Sequence, residues 1–401
     1  MRAGPSKPTD DTRRPSRRHV LTGLAAATGV TAAAGYNLLR PSRTDAAVTP
    51  LSDASVTPQI DSRRTLIVTA RDSTSVALIA FDENRLLGHL DLGLAPRELR
   101  VSDGGVLIAA ADRHSHQLAF AGLATQKVRH VDLPNRPTRL VVSPDGATLA
   151  AIDEDSGEIA LIDFRSGRIT LCFQGPAHIR AVIFSPDAAL LFVGADTAQG
   201  VVIFDLASGR LAATIDGPPV VDLVRSPNGR EGFAITADGE HSILHLDLKS
   251  RAILGRMTGR PAAAVFTTGF GRYLLLPDPD AGTMTIASVQ SLQPGPLLAA
   301  GAGVSTAYSA WFDTVALVPS APAHKVFVYD LEAGRSDGAI ALAGRPGLGS
   351  TSPEGDKFYL PVEDSGEVVV IDTRDRRQVS TISVGGAPVR EVLAAGYGIC
   401  H

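Results

Sequence analysis

The sequence predicts an all-β fold made of about eight copies of one short, four-stranded repeat, on three observations. A short apolar strand that ends in an acid recurs about every 42 residues. A turn of the Ser-Pro-Asp-Gly kind precedes that strand by about twenty residues. The composition, 44% hydrophobic with 39 Gly and 26 Pro, suits a chain of many short strands and tight turns. Because both landmarks keep their spacing along the chain, they belong to one repeated unit.

The two landmarks are easily found in the sequence. The strands that end in an acid are Ala80-Phe81-Asp82, Leu161-Ile162-Asp163, Ile203-Phe204-Asp205, His245-Leu246-Asp247, Val328-Tyr329-Asp330 and Val370-Ile371-Asp372. The turns are Ser143-Pro144-Asp145-Gly146, Ser185-Pro186-Asp187, Ser226-Pro227-Asn228-Gly229 and Ser352-Pro353-Glu354-Gly355. Proline fixes one backbone angle of such a turn, and Asn, Asp or Gly tolerates the angles that follow. The recurrent acids are therefore expected to form turns before anything else.

One period, residues 137 to 175, shows what the repeat contains. A first strand leads into the Ser-Pro-Asp-Gly turn, and strands over Thr148–Ile152, Ile159–Phe164 and Arg168–Phe173 follow, separated by tight turns. The segments are too short and too rich in β-branched residues for a helical repeat. A four-stranded meander cannot bury both of its faces alone, so neighbouring copies must stack against it. The sequence therefore predicts the blades of a β-propeller.

Counting first strands gives the number of blades. Seven complete repeats begin near Pro96, Pro137, His178, Val220, Ala262, Ser305 and Pro346. An eighth begins near Pro388 and has room for one strand only, while residues 65 to 92 supply three strands with no first strand. The prediction is eight four-stranded antiparallel blades, closed by pairing of the N- and C-terminal strands, which removes two open sheet edges. Seven blades is the alternative if the N-terminal strands pack elsewhere.

The repeat resembles a known family. The segment from Pro361 to Asp372, followed by Arg377 to Gly385, is similar to the YVTN-type propeller repeat, in which each blade reads roughly S-G-T-V-S-V-I-D and then V-x-T-I-x-V-G. The segment from Asp153 to Phe173 matches equally well, and the rest of residues 63 to 398 matches loosely. The resemblance implies an extracytoplasmic propeller and says little about activity. The chain lacks the WD40 dipeptides and, with Trp311 as its one tryptophan, the tryptophan docking pattern of quinoprotein dehydrogenases.

The first sixty residues differ from the repeats. Ser16-Arg17-Arg18-His19-Val20-Leu21-Thr22 resembles the twin-arginine export signal and precedes a weakly apolar run. We expect a twin-arginine signal region over residues 1–40, a disordered linker over 41–62 and the propeller over 63–401. This organisation predicts an exported protein, periplasmic or extracellular. A basic tail without a targeting role is the alternative, and an uncleaved signal is the only membrane anchor expected.

Composition excludes several classes of protein. With 38 basic and 42 acidic residues, and a formal net charge of -4, the chain has no basic field for nucleic acid. Cys172 and Cys400 form no metal or haem-attachment spacing, so neither a disulfide framework nor a covalent haem is expected. The sequence contains no nucleophile elbow, zinc-protease or phosphate-loop motif, so a non-catalytic protein is favoured. We expect it to be a monomer.

Function must come from a site on the propeller. The connections into each first strand ring the mouth of the channel, and there the sequence is rich in cations. The candidate ligand-binding residues are Arg97, Arg136, Arg139, His178, Arg180, Arg345 and Arg390. Arginine presents a planar donor fork that suits carboxylate or phosphate, so a cup for a small anionic ligand or a partner protein is one hypothesis. The alternative is that these arginines pair with local acids or face water.

Two further hypotheses concern metal and tetrapyrrole. His114 and His116 are weak candidates for a local metal pair, whereas histidines in separate blades are too far apart to share one ion. Eight blades, export and an Arg- and His-lined face are similar to the d1-haem group of propellers. That resemblance implies His178 as a haem ligand and Arg136, Arg180 and Arg345 as partners of the haem carboxylates. The alternative function is therefore a tetrapyrrole- or metal-binding redox accessory protein, although no haem-specific motif is present.

Overall fold

The computed structural model describes residues 60–102, 105–240, 242–259 and 262–393, all of which belong to one compact unit, Thr57–His401. The expected signal region and nearly all of the expected linker lie outside these residues. The first described residue, Ile60, is buried against the strands that follow, and a 3-10 turn at Ser62–Arg64 leads into the first strand. No helix in these ranges is long and apolar enough to span a bilayer.

The described residues are almost entirely β-strand and turn. The first sixteen strands are β1 (Thr65–Ala70), β2 (Ser75–Ala80), β3 (Arg85–Asp91), β4 (Pro96–Val101), β5 (Leu107–Asp112), β6 (Gln117–Gly122), β7 (Val128–Asp132), β8 (Arg139–Val142), β9 (Thr148–Ile152), β10 (Glu158–Asp163), β11 (Ile169–Gln174), β12 (Ile179–Phe184), β13 (Leu190–Ala195), β14 (Val201–Asp205), β15 (Arg210–Ile215) and β16 (Val220–Arg225). The next sixteen are β17 (Glu231–Thr236), β18 (Ile243–Asp247), β19 (Ala252–Met257), β20 (Phe266–Thr267), β21 (Tyr273–Asp278), β22 (Thr283–Ser288), β23 (Gln293–Ala299), β24 (Tyr308–Ala310), β25 (Val315–Ser320), β26 (Lys325–Asp330), β27 (Arg335–Ala341), β28 (Ser350–Thr351), β29 (Lys357–Val362), β30 (Glu367–Asp372), β31 (Arg377–Ser383) and β32 (Pro388–Leu393).

These strands form eight four-stranded antiparallel sheets, which confirms the predicted eight-bladed propeller. Blades 1 to 7 take four consecutive strands each, from β4–β7 in blade 1 to β28–β31 in blade 7. The remaining sheet, the closing blade, has the order β3-β2-β1-β32. Its inner strand β32 pairs with β1 from Leu66 opposite Leu393 to Ala70 opposite Pro388. The ring is therefore closed by strands from both ends of the described chain, as the sequence predicts, and the seven-blade alternative is wrong.

The core consists of eight apolar layers, one between each pair of neighbouring blades. The second and third strands of a blade are buried on both faces, as in the Leu149–Ile152 part of β9. The fourth strand is outermost and alternates, as in β11. This burial explains why the second and third strands read as continuous apolar runs while the fourth strand mixes polar and apolar residues.

The repeated turn has the expected chemistry. In blade 2 the Ser143 hydroxyl lies 2.5 Å from the Asp145 carboxylate and accepts the amide of Thr148 at 2.9 Å. Gly146 takes a φ of +67°, which favours glycine. The hydroxyl of Ser185 repeats this contact with Asp187 in blade 3. The Ser-Pro-Asp turn is therefore held by its own side chains.

The inner strands of blades 5, 6 and 7 are only two or three residues long, so they begin later than the spacing predicts. In blade 7 the cause is a closer neighbour. Pro346 and Gly347 still pair with β29 of their own blade. At Leu348 the pairing changes: its amide donates to the Val389 carbonyl and its carbonyl accepts the Glu391 amide, so this residue bonds to β32. Gly347 permits the approach, because a Cβ there would lie 2.2 Å from the Val389 carbonyl oxygen.

The meander gives the ring two different faces. The connections into the inner strands and the turns between second and third strands share one face, here called the mouth face. The turns between first and second strands, and between third and fourth strands, share the opposite face. All seven predicted ligand-binding residues belong to the inner strands or the mouth-face connections.

Candidate functional site

The predicted residues fall into two groups at the mouth face. Those in connections that lead into blades 2, 3 and 7 are Arg136, His178 and Arg345. Those on the inner strands β4, β8, β12 and β32 are Arg97, Arg139, Arg180 and Arg390. The fold therefore brings residues that are far apart in sequence onto one end of the channel.

Two of these arginines, Arg97 and Arg180, each lie at a β-bulge of an inner strand. Pairing of β4 with β5 steps from Pro96 to Glu98, which leaves Arg97 as the extra residue, and Arg180 is the extra residue of β12. A bulged residue is left out of the ladder, and the strand bends at that point. Both side chains are exposed. The bulges thus present these two guanidinium groups to solvent.

Arg180 and Arg139 are each paired with an acid from the turn between second and third strands. Arg180 forms an ion pair with Asp196 at 2.6 Å, and its hydrogen bond holds the pKa of the Asp196 carboxyl below its usual range. Arg139 contacts Glu154 at 2.6 Å, and the Thr138 hydroxyl donates to the same carboxylate at 2.9 Å. Pairs this exposed contribute at most about 1 kcal/mol to stability. They nevertheless offset the positive charge at these two points.

Arg345 has two acidic neighbours. It contacts Glu363 at 3.2 Å and Asp364 at 3.6 Å, and its backbone amide donates to Asp364 at 2.7 Å. Arg71, from the closing blade, contacts the same Glu363 at 2.8 Å. Blade 7 therefore joins the closing blade through a shared carboxylate, and Arg345 serves that junction.

Arg390 belongs to a triad deeper in the channel. One oxygen of Glu98 lies 2.7 Å from Arg390, and the other lies 2.8 Å from Arg100. Burial would raise the pKa of Glu98, but the two guanidinium charges hold it below its ordinary value. Two arginines share one carboxylate, so this junction between β32 and β4 keeps a net positive charge.

Arg97 and Arg136 differ from the other four arginines. Both side chains are exposed, and neither forms an ion pair or hydrogen bond with any other residue that the structure describes. They lie on neighbouring blades, Arg97 at the inner strand of blade 1 and Arg136 in the connection from blade 1 to blade 2. These are the two mouth-face cations of the predicted set whose charge stays uncompensated within the described ranges.

A crevice of about 280 Å³ adjoins Arg136. The connection from β7 to β8 forms one wall with Leu133, Pro134 and the two neighbours of Arg136, and the small side chains of blade 2 leave the space. The opposite wall consists of Ala151, Ala160 and Cys172, which are cross-strand neighbours. The volume is close to the lower end of small-molecule sites. Burial raises the pKa of the Cys172 thiol, so it stays protonated.

His178 is exposed and takes a left-handed backbone conformation, with a φ of +55°. This conformation costs an L-residue on the order of 1 kcal/mol. The amide of His178 donates to the Asp155 carbonyl at 3.2 Å, and its carbonyl accepts the amide of Asp196 at 3.1 Å. These two contacts fix the residue at the rim of blade 3, with its imidazole on the solvent side.

His114 and His116 lie in the turn between β5 and β6, and both are exposed. Among the residues described, no group of three or more His, Cys, Asp or Glu side chains is arranged to hold a metal ion. A metal pair at His114 and His116 therefore stays a prediction without a third ligand from the described chain.

Sequence reasoning missed the acids that pair with the arginines. Glu154, Asp196 and Glu363 each follow the end of a second strand by one or two residues, and that fixed position was the available signal. The sequence places Glu391 among the acids at the starts of the inner strands but does not predict its burial: it is 3% exposed although it stands on the inner strand β32. Burial raises the pKa of Glu391 to about 8, and nearby Ser350 offsets part of the rise. The equivalent position in blade 1 is the buried Leu99.

Comparison with protein-family models and with curated proteins found no match to the chain. Solved structures do match. The dihydro-haem d1 dehydrogenase NirN in complex with DHE is similar over 87% of this chain and 79% of its own, with a TM-score of 0.72 and 16% identity. Apo AztD from Citrobacter koseri is similar over 82% of this chain and 97% of its own, with a TM-score of 0.61 and 15% identity.

A third match is the C-terminal WD40 domain of Sif2, similar over 72% of this chain and 82% of its own, with a TM-score of 0.56 and 15% identity. At identities this low, the comparisons bear on the fold alone. Together with the eight closed blades, they show that this chain has a β-propeller fold.

Proposed function

We propose that the protein is an exported, non-catalytic β-propeller that binds a small anionic ligand, or an anionic group of a partner protein, on its mouth face. The observation that carries this proposal is the pair of exposed arginines, Arg97 and Arg136, on neighbouring blades. A free guanidinium group presents a donor fork that matches a carboxylate or phosphate. The four paired arginines have acids as partners already, so they contribute less.

The surroundings of this pair favour a ligand with an apolar part. The apolar lining of the crevice beside Arg136 includes Leu133 of the connection into blade 2 and Ile159 and Phe173 of blade 2. Its polar lining includes Asn135 and Gln174, as well as the acids Asp153 and Glu158. The net positive triad around Glu98 lies on the inner side of blade 1. An acidic group held by Arg97 and Arg136 would leave the apolar body of the ligand next to the crevice.

Binding without catalysis is supported by the state of the acids. The carboxyl of Asp196 at the mouth has a lowered pKa, so it stays ionised as a counter-ion and is a poor general acid. Glu391 does have a raised pKa, but its carboxyl is buried within the ring. A group that substrate cannot reach cannot transfer a proton to it.

Export is the second part of the proposal. It rests on the paired Arg17 and Arg18 ahead of a weakly apolar run, and on the resemblance of the blades to YVTN-type repeats. A twin-arginine route accepts folded proteins, and a ring closed by β1 and β32 is complete before it crosses. The location that follows is periplasmic or extracellular.

The test of anion binding is a calorimetric titration with citrate, using its neutral triethyl ester as the control ligand. Citrate is expected to bind, and added salt is expected to weaken it, because the contacts are between exposed charges. The ester is expected not to bind. Pyrophosphate is titrated as a second anion. Equal binding of citrate and its ester, or no binding of citrate and none of pyrophosphate, would contradict an anion site.

A second candidate is a tetrapyrrole with acidic side chains, bound on the same face. The specific observation is His178, an exposed imidazole on a fixed, left-handed backbone. Arg180 follows it by two residues on β12, and Arg136 lies in the connection into the preceding blade. The solved NirN structure, similar in fold, is named for dihydro-haem d1. By this reading the imidazole would bind the central iron and the arginines would bind the carboxylates.

Absorption spectra of the protein mixed with ferric haem test this candidate. Coordination by His178 predicts a shifted Soret band that is lost in His178→Ala and retained in His114→Ala. A spectrum identical to that of free haem, or a shift that survives in His178→Ala, counts against tetrapyrrole ligation by this residue. Citrate binding with no haem shift would leave the first proposal standing.

A further inference from the structure

The face opposite the mouth carries an exposed group of aromatic rings. Phe270, in the first turn of blade 5, is 65% exposed, and Phe312, in the first turn of blade 6, is 58% exposed. Their rings are nearly parallel, with centroids 6.3 Å apart and an angle of 7° between the planes. Trp311 packs edge-on against Phe312 at 5.2 Å. These three residues are called the aromatic rim below.

Other blades place polar residues at this turn. The equivalent residues are Pro144-Asp145-Gly146 in blade 2, Pro186-Asp187-Ala188 in blade 3, Pro227-Asn228-Gly229 in blade 4 and Pro353-Glu354-Gly355 in blade 7. Two neighbouring blades thus depart from the repeat in the same direction. A large exposed apolar group at a site where a polar turn would fold equally well needs an explanation beyond folding.

The rim is held in place by its backbone. Trp311, Phe312 and Asp313 all have left-handed φ values, of +43°, +56° and +57°. Such a run is unfavourable for L-residues and persists only where the surroundings enforce it. The buried carboxylate of Asp313 accepts the amide of Phe270 at 2.9 Å, which joins the two turns. The rings are therefore presented by a rigid platform.

Further contacts tie the platform to the blades on either side. Arg272 of blade 5 donates to the carbonyl of Phe312 at 2.5 Å and to that of Asp313 at 3.1 Å. The amide of Trp311 donates to Gly355 of blade 7 at 2.8 Å. Three consecutive blades thus fix the position of the two exposed rings.

A cation lies against the rim. The guanidinium of Arg374, from the third turn of blade 7, lies 5.6 Å from the Trp311 ring centroid, and the Arg374 side chain is exposed. Arg374 forms no ion pair with another described residue. Arg272, which holds the platform, lies 3.9 Å from the carboxylate of Glu332. Apolar rings beside an uncompensated arginine fit a surface that is both apolar and anionic.

A second copy of the chain is a poor match for this surface. The exposed parts of the two Phe rings amount to on the order of 250 Å². A stable protein interface buries ~800 Å² on each partner. Insertion of side chains into a lipid interface needs no such area, because the rings enter a deformable medium while arginines contact the headgroup phosphates. We propose that the aromatic rim binds the surface of an anionic phospholipid bilayer.

This contact orients the ring. The rim and the mouth lie on opposite faces, so a propeller resting on lipid through Phe270 and Phe312 presents Arg97 and Arg136 away from the bilayer. Membrane binding and ligand binding use separate residues, so each can be tested while the other is kept.

The single tryptophan of the chain gives a direct measurement. The full chain is mixed with vesicles of phosphatidylcholine containing phosphatidylglycerol, or with vesicles of phosphatidylcholine alone, and Trp311 emission is recorded. The proposal predicts a blue shift and co-sedimentation with the anionic vesicles, both weaker with neutral ones. No blue shift with anionic vesicles would overturn it.

Variants test whether the aromatic rim itself causes the membrane binding. Every variant retains residues 1–40, so any contribution of that segment to membrane binding is the same in all of them. Phe270→Ser/Phe312→Ser is expected to weaken partitioning about tenfold or more, since two rings no longer enter the interface. Leu211→Ser/Leu254→Ser is the matched control, because both leucines are exposed on outer strands of blades 3 and 4. Retained binding in the double Phe variant, or equal loss in the control, would overturn the proposal.

A second variant keeps the test decisive if the double Phe variant folds poorly. Arg374→Gln leaves the backbone of the rim untouched and is expected to weaken binding to anionic vesicles about fivefold, with no effect on neutral ones. Light scattering at rising protein concentration covers the remaining possibility. Concentration-dependent dimers that disappear in Phe312→Ser would show that the rim contacts a second copy, and the lipid proposal would then be wrong.

Discussion

A chain shortened to end at Ala387 is expected to lose the folded ring. Such a chain lacks β32, so β1 loses one of its two antiparallel partners, the one opposite Leu66 to Ala70, and keeps β2. It also loses the apolar contacts of Leu393 and Val392 in the two layers that flank the closing blade. Ladder hydrogen bonds at about 1 kcal/mol each and buried side chains at ~2 kcal/mol each sum to on the order of 10 kcal/mol. That equals the whole stability of a typical domain.

The measurement is urea unfolding followed by circular dichroism, with light scattering for aggregation. The shortened chain is expected to show no cooperative transition and to aggregate through the open edge of β1. A chain that ends at Leu393 is the control, because it keeps β32 entire. Cooperative unfolding of the chain that ends at Ala387, at a midpoint near that of the control, would contradict closure of the ring by β32.

Glu391→Gln is expected to stabilise the ring at alkaline pH. The Glu391 side chain lies in the layer between β28 and β32, near Ser350 and Tyr308, and burial raises its pKa to about 8 from an ordinary 4.5. The folded state therefore keeps the proton that the unfolded chain has already released. The contribution of the Glu391 carboxyl to stability is complete below pH 4.5, falls as the pH rises from 4.5 to about 8, and is constant above that.

The size of the effect follows from the two pKa values. A shift from 4.5 to about 8 corresponds to about 5 kcal/mol of unfolding free energy. Glutamine does not ionise, so the difference between variant and wild type should be small near pH 4.5 and should grow to about 5 kcal/mol above pH 8. Chemical unfolding across this pH range tests it, with the exposed Glu83→Gln as control. A difference that does not change with pH would mean that Glu391 does not titrate as a buried acid.

The repeat could be predicted because its causes are local. A Ser-Pro-Asp-Gly turn is held by its own side chains, as Ser143 and Asp145 show, and such turns mark blades 2, 3, 4 and 7 without knowledge of the rest of the fold. The closing strand followed from counting, since β32 and the three strands after residue 64 are each incomplete alone. The late start of β28 was not predictable, because Leu348 bonds to a strand more than forty residues away in sequence.

The site was less predictable for the same reason. Residue type and position identified the mouth-face arginines, but the distance between Arg180 and Asp196 depends on how the turn after β13 folds back. Which arginines are compensated is a property of three-dimensional packing. The burial of Glu391 could not be predicted, because an acid on an inner strand is expected to face the channel. Its position is nevertheless a core position, since the equivalent residue in blade 1 is the buried Leu99.

The most direct measurement of the proposed function compares free with paired arginines. Citrate affinity is measured for the wild type, for Arg97→Gln/Arg136→Gln, and for Arg180→Gln/Arg345→Gln as the control. Each free arginine is expected to contribute about tenfold, so the first double variant should lose about a hundredfold in affinity. The control should stay within about twofold, because its arginines already have acidic partners. Unchanged affinity in Arg97→Gln/Arg136→Gln, or an equal loss in the control, would contradict ligand binding by the uncompensated pair.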